Sequence, residues 1–359
     1  MKRLFAVLAT AITVLFLVFG SATQAVAEVS FKGKTVAILI PYSVGGAADI
    51  MARQMLPFIG KQIPGNPTAI IRNMPGGGGI VGENWVYNSA PADGTIIGQF
   101  STSVTDTIFK PDKVKFELAK LRWLGGGRET TIAFASKDLG ISKGTELAGL
   151  KKKVFFGTTS IQSPRAMLPR LLMRILDLDH KVVTGYGSSG DMRAALRRGE
   201  LNLTNDSQSA YFTAVEPMVK EGVAVPLAQE GTVQDGKIIR DPRLPDIPTY
   251  FEIVLELKGE SIRKDVRYRA METLAFLAGV RRGWVYAPRV PKATFDTMAA
   301  SFDRFLKDPE MVAHFEKAIG FKLISLNAPQ AQSIIDRVVE IQKSDPEAVA
   351  LLKAMAQKP

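Results

Sequence analysis

Cysteine is absent from this 359-residue chain, which excludes disulfides, thiolate nucleophiles and cysteine-ligated metals. Histidine is nearly absent, with only His180 and His314. His314 sits in helical sequence, Met311-Val312-Ala313-His314-Phe315, where a packed or solvated ring is the expectation. His180 precedes a strand with Asp177 and Asp179 nearby, and a metal needs more ligands at sensible spacing than that. No Gly-x-Ser-x-Gly elbow surrounds any serine, and Ser188-Ser189 lies between glycines without a matched base. No Gly-Lys-Ser or Gly-Lys-Thr makes a Walker loop. The expectation is a protein without metal, cofactor or catalysis.

Long apolar runs are missing beyond the N-terminus, and Leu274 to Val280 is far too short to span a bilayer. The exception is Leu4 to Phe19. Lys2 and Arg3 precede it and Ala25-Val26-Ala27 follows, a small-residue cleavage signal. The run is shorter than the roughly 20 residues a spanning helix needs. Residues 1–27 are therefore expected to be a cleaved signal peptide, and the mature chain to start at Glu28 in the periplasm. Acidic residues are outnumbered, 35 to 46, for a net charge of +11. The basic runs Lys151-Lys152-Lys153, Arg197-Arg198 and Arg281-Arg282 are dispersed and carry no interleaved aromatics. With export, that pattern points to anionic small molecules as partners and away from nucleic acid.

Two glycine turns are abundantly present: Pro41-Tyr42-Ser43-Val44-Gly45-Gly46-Ala47-Ala48-Asp49 and Asn73-Met74-Pro75-Gly76-Gly77-Gly78-Gly79. Each follows a β-branched run, Thr35 to Ile40 or Thr68 to Ile71, and opens into helical sequence. Such turns aim backbone N–H groups and the positive end of a helix dipole at one point. A third strand, Thr95 to Phe100, ends at Ser101. Strand, helix, strand, helix, strand is the grammar of a doubly wound parallel sheet, whose ligands lie at the carboxyl ends of the strands. Pro57 predicts a kink or break in the first helix. The second half repeats the plan. Strands are expected at Thr131 to Ala135, Lys153 to Phe156, Lys181 to Val183, Leu201 to Leu203 and Val223 to Leu227. Polar turns follow two of them, Gly157 to Ser163 and Thr184 to Gly190, and the strand at Leu201 to Leu203 ends at Thr204-Asn205-Asp206. Tyr250 to Gly279 reads as helical, Trp284 to Pro288 as a strand, and Phe321 to Ser325 as a last strand.

Gly77, Gly79 and Gly82 also satisfy G-x-G-x-x-G, the dinucleotide fingerprint. It sits on the second strand–helix unit, and Ser101 stands where an acid would hold a ribose. With export removing the chain from cytoplasmic NAD, the nucleotide reading falls behind. What remains is a set of neutral donors without a nucleophile. Singly, each is a turn glycine or a helix cap; four such turns, two in each half, favour a carboxylate site.

The residues resemble a family. The first loop looks like P-[FY]-x-x-G-G-x-x-D. Asn73 to Gly82 resembles N-x-P-G-A-G-G-x-x-G. Pro91-Ala92-Asp93-Gly94-Thr95 is similar to P-P-D-G-[YT], and Leu244-Pro245-Asp246-Ile247-Pro248-Thr249 to L-P-D-V-P-T. These are motifs of the extracytoplasmic solute receptors of tripartite tricarboxylate transporters, the TctC or Bug proteins, matched in order from about Val36 to the C-terminus. The chain departs at Gly77, where the family has alanine, and in the length of Tyr250 to Val280, which is expected to cover the cleft or extend the second domain. The resemblance implies a periplasmic binding protein of Venus-flytrap type, an α/β chain of two Rossmann-like doubly wound domains joined by a hinge. Residues 28–128 and 282–359 would form domain 1 and residues 129–281 domain 2. A monomer would take one organic carboxylate and deliver it to a large and a small membrane subunit. The expected ligand-binding residues are Tyr42, Ser43, Gly45, Gly46, Ala47, Gly76, Gly77, Gly78, Gly79 and Ser101 on one side. Thr158, Thr159, Ser160, Gln162, Ser188 and Asp206 are expected opposite. Asp49 is expected to tie its own loop together. An exported hydrolase and a receptor for an ATP-driven importer are the alternatives.

Overall fold

The computed structural model describes residues 28–357 apart from 46, 101–102, 162 and 321–323; the expected signal peptide therefore lies outside the described residues. No helix among the described residues is long and apolar enough to cross a membrane.

Two sheets organise the chain. The first has six strands in the order β13-β4-β12-β3-β1-β2. The apolar run Thr35–Ile40 is β1, buried at every position but the first, as a central strand covered on both faces requires. Thr68–Asn73 is the edge strand β2, with exposed and half-buried residues alternating. Ile96–Phe100 is β3, and these three strands run parallel. Helix α1 (Ala47–Gln62) joins β1 to β2 and contains Pro57 without ending there, so the expected break is absent. Helix α2 (Ile80–Ser89) joins β2 to β3, and α3 (Ser103–Phe109) follows β3. The other three strands are antiparallel to their neighbours: β4 (Arg122–Arg128), β12 (Arg281–Tyr286) and β13 (Ile324–Asn327). The sheet is mixed, not wholly parallel as expected, because the returning chain inserts β12 between β3 and β4.

The second sheet has the order β7-β6-β8-β5-β9. Its strands are β5 (Thr131–Ser136), β6 (Val154–Gly157), β7 (His180–Val183), β8 (Leu203–Ser207) and β9 (Ala224–Gln229). Helix α4 (Pro164–Ile175) follows β6 and α5 (Ser189–Arg197) follows β7. A turn of helix, Gln208–Ala210, and a π-turn, Tyr211–Val215, lead from β8 to α6 (Glu216–Lys220). This sheet is mixed too, with β5 antiparallel to both neighbours. Strand β8 takes in Thr204, Asn205 and Asp206, the string at which the sequence pattern ends the strand. They tolerate burial because each finds a partner: Thr204 Oγ1 donates to Gly157 O (3.0 Å) and Asn205 Nδ2 to Arg165 O (2.6 Å). A hairpin of β10 (Thr232–Gln234) and β11 (Lys237–Ile239) was not foreseen, although Asp235-Gly236 (φ +49° and +72°) is the residue pair a tight I′ turn prefers.

The long segment Tyr250 to Val280 forms α7 (Tyr250–Lys258) and α8 (Val266–Leu277), joined by a 3₁₀ turn. Helix α7 opens with a complete capping box, Thr249 with Glu252, and packs on α4. The chain then adds α9 (Lys292–Lys307), α10 (Pro309–Ile319), α11 (Ala328–Ser344) and α12 (Pro346–Gln357). Helix α8 contacts α4 of the second lobe and α3, α11 and α12. One apolar cluster consequently runs from Leu39, Val86 and Phe100 under the first sheet through Leu274 and Ile335 to Phe156 and Leu203 under the second. The segment both extends the second lobe, through α7, and bridges the two lobes, through α8.

Arg170 on α4 pins this bridge. It is 1% exposed, and its Nη1 donates to Met355 O (2.8 Å) and Ile161 O (3.1 Å). Loss of solvation, with Arg174 nearby, brings its pKa down to about 10. Arg170→Met should therefore lower stability by about 2–4 kcal/mol, because two carbonyls lose a buried donor. Arg174→Met, half-buried on the same helix, should cost less than about 1 kcal/mol. Urea unfolding of both variants measures this; equal midpoints would show that the tie contributes nothing.

Candidate functional site

The loop after β2, the helix after β3 and the start of α4 after β6 line shared cavities between the two sheets. Loop geometry on the first side depends on Asp49, in the first turn of α1 and 1% exposed. Its Oδ2 accepts from Gly45 N–H (2.9 Å) and Arg53 Nε (2.9 Å). Its Oδ1 accepts from Arg53 Nη2 (2.9 Å) and Asn73 Nδ2 (3.0 Å). Asn73 Nδ2 also donates to Tyr42 O (3.0 Å). One carboxylate thus fastens the first loop to the end of β2, where the second begins. Arg53, with the Gly45 and Asn73 donors, holds the carboxyl at about pKa 2. Asp49 ties its loop, as expected. Gly45 does not offer its N–H outward, as the sequence reading had it, because Asp49 already accepts it.

The second loop takes a path that only glycine follows easily. Gly76, Gly77, Gly78 and Gly79 have φ of +140°, +60°, +74° and +110°. Gly79 N–H turns back to Gly76 O (3.0 Å), and a Cβ on Gly79 would stand 3.0 Å from the Tyr42 hydroxyl oxygen. Gly82 explains the dinucleotide-like spacing: a Cβ there would lie 2.8 Å from Met74 O and 2.9 Å from Pro41 Cβ. The third glycine lets α2 seat against the first loop, a packing role that asks for no nucleotide.

Gly78 lines a cavity of ≈ 490 Å³ together with Thr105, Lys110, Pro164 and Lys353. A second cavity of ≈ 260 Å³ is lined by Thr105, Ser163, Arg165, Glu230, Leu274 and Arg281. Thr105 and Pro164 border both, so the tetraglycine loop and the start of α4 face one another. Among the residues expected opposite, Thr158 is bound internally, N–H to Val183 O (2.9 Å) and Oγ1 to Ser160 O (3.2 Å). Thr159 and Ser160 are exposed, as is Ser43 on the first side. Ser188 caps α5 and donates to Asp191 Oδ2 (2.9 Å), and it lines neither cavity. Asp206 is 2% exposed and paired with Arg193, which satisfies its charge inside the second lobe. Gly46, Ser101 and Gln162 lie outside the described residues, and Ala47 opens α1.

Sequence reasoning missed the charged groups. Arg281 Nη2 meets Glu230 Oε2 at 2.8 Å, and Thr131 Oγ1 donates to the same oxygen at 3.2 Å. Arg282 pairs with Glu129 at 3.6 Å. Arg282 also carries φ +52° inside a strand, at the register shift where the chain re-enters the first sheet. The adjacency Arg281-Arg282 was visible, but nothing local in it told of partners more than fifty residues upstream.

The Asp49 junction makes a pH prediction. A depressed carboxyl pKa contributes stability that is fully present above the ordinary value of 3.8 and fades as pH falls toward about 2. Asp49→Asn should be less stable than the parent by about 2 kcal/mol at pH 7, with the gap closing between pH 4 and pH 2. Urea midpoints of both proteins across that range test it; a gap independent of pH would refute the charge-based account.

No family model matches the chain, and no curated protein matches it. Solved structures do. The periplasmic binding protein BugD superposes with TM-score 0.57 at 18% identity, over 89% of this chain and 97% of that one. A TctC solute-binding protein from Polaromonas does so with TM-score 0.67 at 13% identity, over 92% and 100%. MatC from Rhodopseudomonas palustris, with bound malate, gives TM-score 0.53 at 20% identity, over 90% and 98%. The two mixed sheets facing across a cleft, with the chain passing from one to the other and back, are the fold of the Bug and TctC solute-binding proteins.

Proposed function

We propose that the protein is an exported receptor of the TctC or Bug kind, which captures a small organic carboxylate between its lobes and delivers it to a tripartite membrane transporter. The single observation that carries this reading is the facing of the tetraglycine loop, at Gly78, and the start of α4, at Pro164, across one cavity. Backbone N–H groups of a loop and of a helix N-terminus there converge on an anion. The cavity has the size of small-molecule sites. The likeness to MatC, whose structure holds malate, supports a carboxylate.

Both histidines are engaged by other groups. His180 Nδ1 contacts Leu178 O at 2.8 Å, and His314 Nε2 contacts Gln54 Oε1 at 3.0 Å with its ring against Phe58. Among the described residues, neither ring is hydrogen-bonded to a serine. Capture would proceed by rotation of the lobes about the crossings at Glu129-Thr130 and Ala278 to Val280, with Arg282 at the strained point. The apolar bridge at α8 limits how far the lobes separate.

Thermal unfolding with a panel of carboxylates tests the reading. A bound acid at a hundredfold excess over its Kd adds about 2.7 kcal/mol and raises Tm by several degrees; silence across the panel, with protein refolded free of carried-over ligand, would sink it. Gly78→Ala, at φ +74°, should lose tenfold or more in affinity for a bound acid while costing about 1–2 kcal/mol of stability. Unchanged affinity in a folded variant would remove the second loop from the site.

A further inference from the structure

The cleft contains more positive charge than its acids neutralise. Glu230 is paired with Arg281, Glu129 with Arg282 and Asp206 with Arg193. Arg165 is the fourth arginine of this neighbourhood and lines the ≈ 260 Å³ cavity. Its backbone carbonyl accepts from Asn205 Nδ2, which fixes the start of α4. Its guanidinium has neither a hydrogen bond nor a salt bridge among the described residues, although Glu129, Asp206 and Glu230 are near enough to influence it.

Arg165 is exposed, and it lines this cavity beside Glu230 and Arg281. The side chain is reached by water, yet loss of solvation and then repulsion from Arg281 pull its pKa below the ordinary arginine value. The guanidinium is thus accessible to a ligand entering the ≈ 260 Å³ cavity that Arg165 lines. It stands at the second position of a 12-residue helix whose first turn contains no acid. The N-cap, Ser163, makes no side-chain cap bond and lines the same cavity. The apolar residues Leu274 and Leu277 of α8 form the remaining wall, which strengthens any ion pair made there.

We propose that Arg165 holds a second anionic group of the ligand, so that the receptor selects small dicarboxylates over the matching monocarboxylates. This rests on the carboxylate-receptor reading above. In it, the glycine loop takes one carboxylate and the Arg165 fork takes the other, bidentately. A monocarboxylate has nothing to pair with this guanidinium and forgoes the charge-assisted contact that a second carboxylate makes, and that is the physical basis of the discrimination.

Isothermal titration tests it with matched pairs, butyrate against succinate, hexanoate against adipate and benzoate against phthalate, on the parent protein, Arg165→Gln, Arg165→Lys and Arg198→Gln. The best dicarboxylate should bind the parent at least tenfold more tightly than its monocarboxylate partner. Arg165→Gln should bring that ratio to within threefold of one, Arg165→Lys should restore part of it, and Arg198→Gln, on the outer surface, should keep it. The selectivity of Arg165→Gln should also lose its salt dependence. A parent protein that binds both members of each pair equally, or an Arg165→Gln variant that keeps the ratio, overturns this proposal and leaves the receptor reading standing. Binding of neither class overturns both. Circular dichroism melts of Arg165→Gln should match the parent within about two degrees, since the guanidinium makes no bond in the protein; a lower melt would assign Arg165 a structural part instead.

Discussion

A buried carboxylate holds the first half of the cleft in shape. Asp49 takes four hydrogen bonds, from Gly45, from Arg53 twice and from Asn73. The sequence positions it joins are a glycine turn, a helix and the end of a different strand. Glycine-rich loops are entropically expensive to order, since glycine loses more backbone freedom than any other residue. A charged, fully satisfied junction offsets that cost at the point where two of them meet. The four positive-φ glycines of the second loop then start from a fixed anchor, Asn73.

The second lobe is built on the opposite plan. Its face toward the cleft contains few flexible turns that remain unbonded: Thr158 bonds within its own turn, Ser188 caps a helix, and Asp206 neutralises Arg193. What borders the smaller cavity is side-chain charge: the Arg281–Glu230 pair and the guanidinium of Arg165. A grip made of backbone donors is indifferent to the rest of a ligand; a fork of N–H donors at a fixed place is not. In the proposed receptor, the two sides divide general capture from selection.

How much of this was legible follows from the range of the interactions. The strands β1, β2 and β3 and both glycine turns could be read because their signals are local: apolar runs and glycine after strands. Asp49's role was readable for the same reason, four residues from Gly45. Sheet direction was not, because β12 reaches its neighbours only after the whole second lobe has been made. The place of Asp206 within β8 was not legible, since a Thr-Asn-Asp string reads as a strand's end until β5 pairs with it, Ile132 opposite Asp206. Arg165 gave no signal at all. Two residues after Ser163 it reads as a solvated position on a helix, and only the folding of α8 against α4 places that helix end beneath a wall.

The return of the chain to its first sheet also has a temporal side. Strands β12 and β13 complete a sheet whose other four strands ended at Arg128, whereas β5 through β9 are contiguous from Thr131 to Gln229. Contacts closing such a long loop are slow to form. The second lobe can assemble as a unit while β3 and β4, with the apolar surface of Leu124 and Phe100, still await their central neighbour. Until β12 arrives, the first sheet has two open edges inside its own middle, which is where a folding chain is most exposed to pairing with another. A topology that returns to its first sheet thus carries a period of vulnerability on the way to being built.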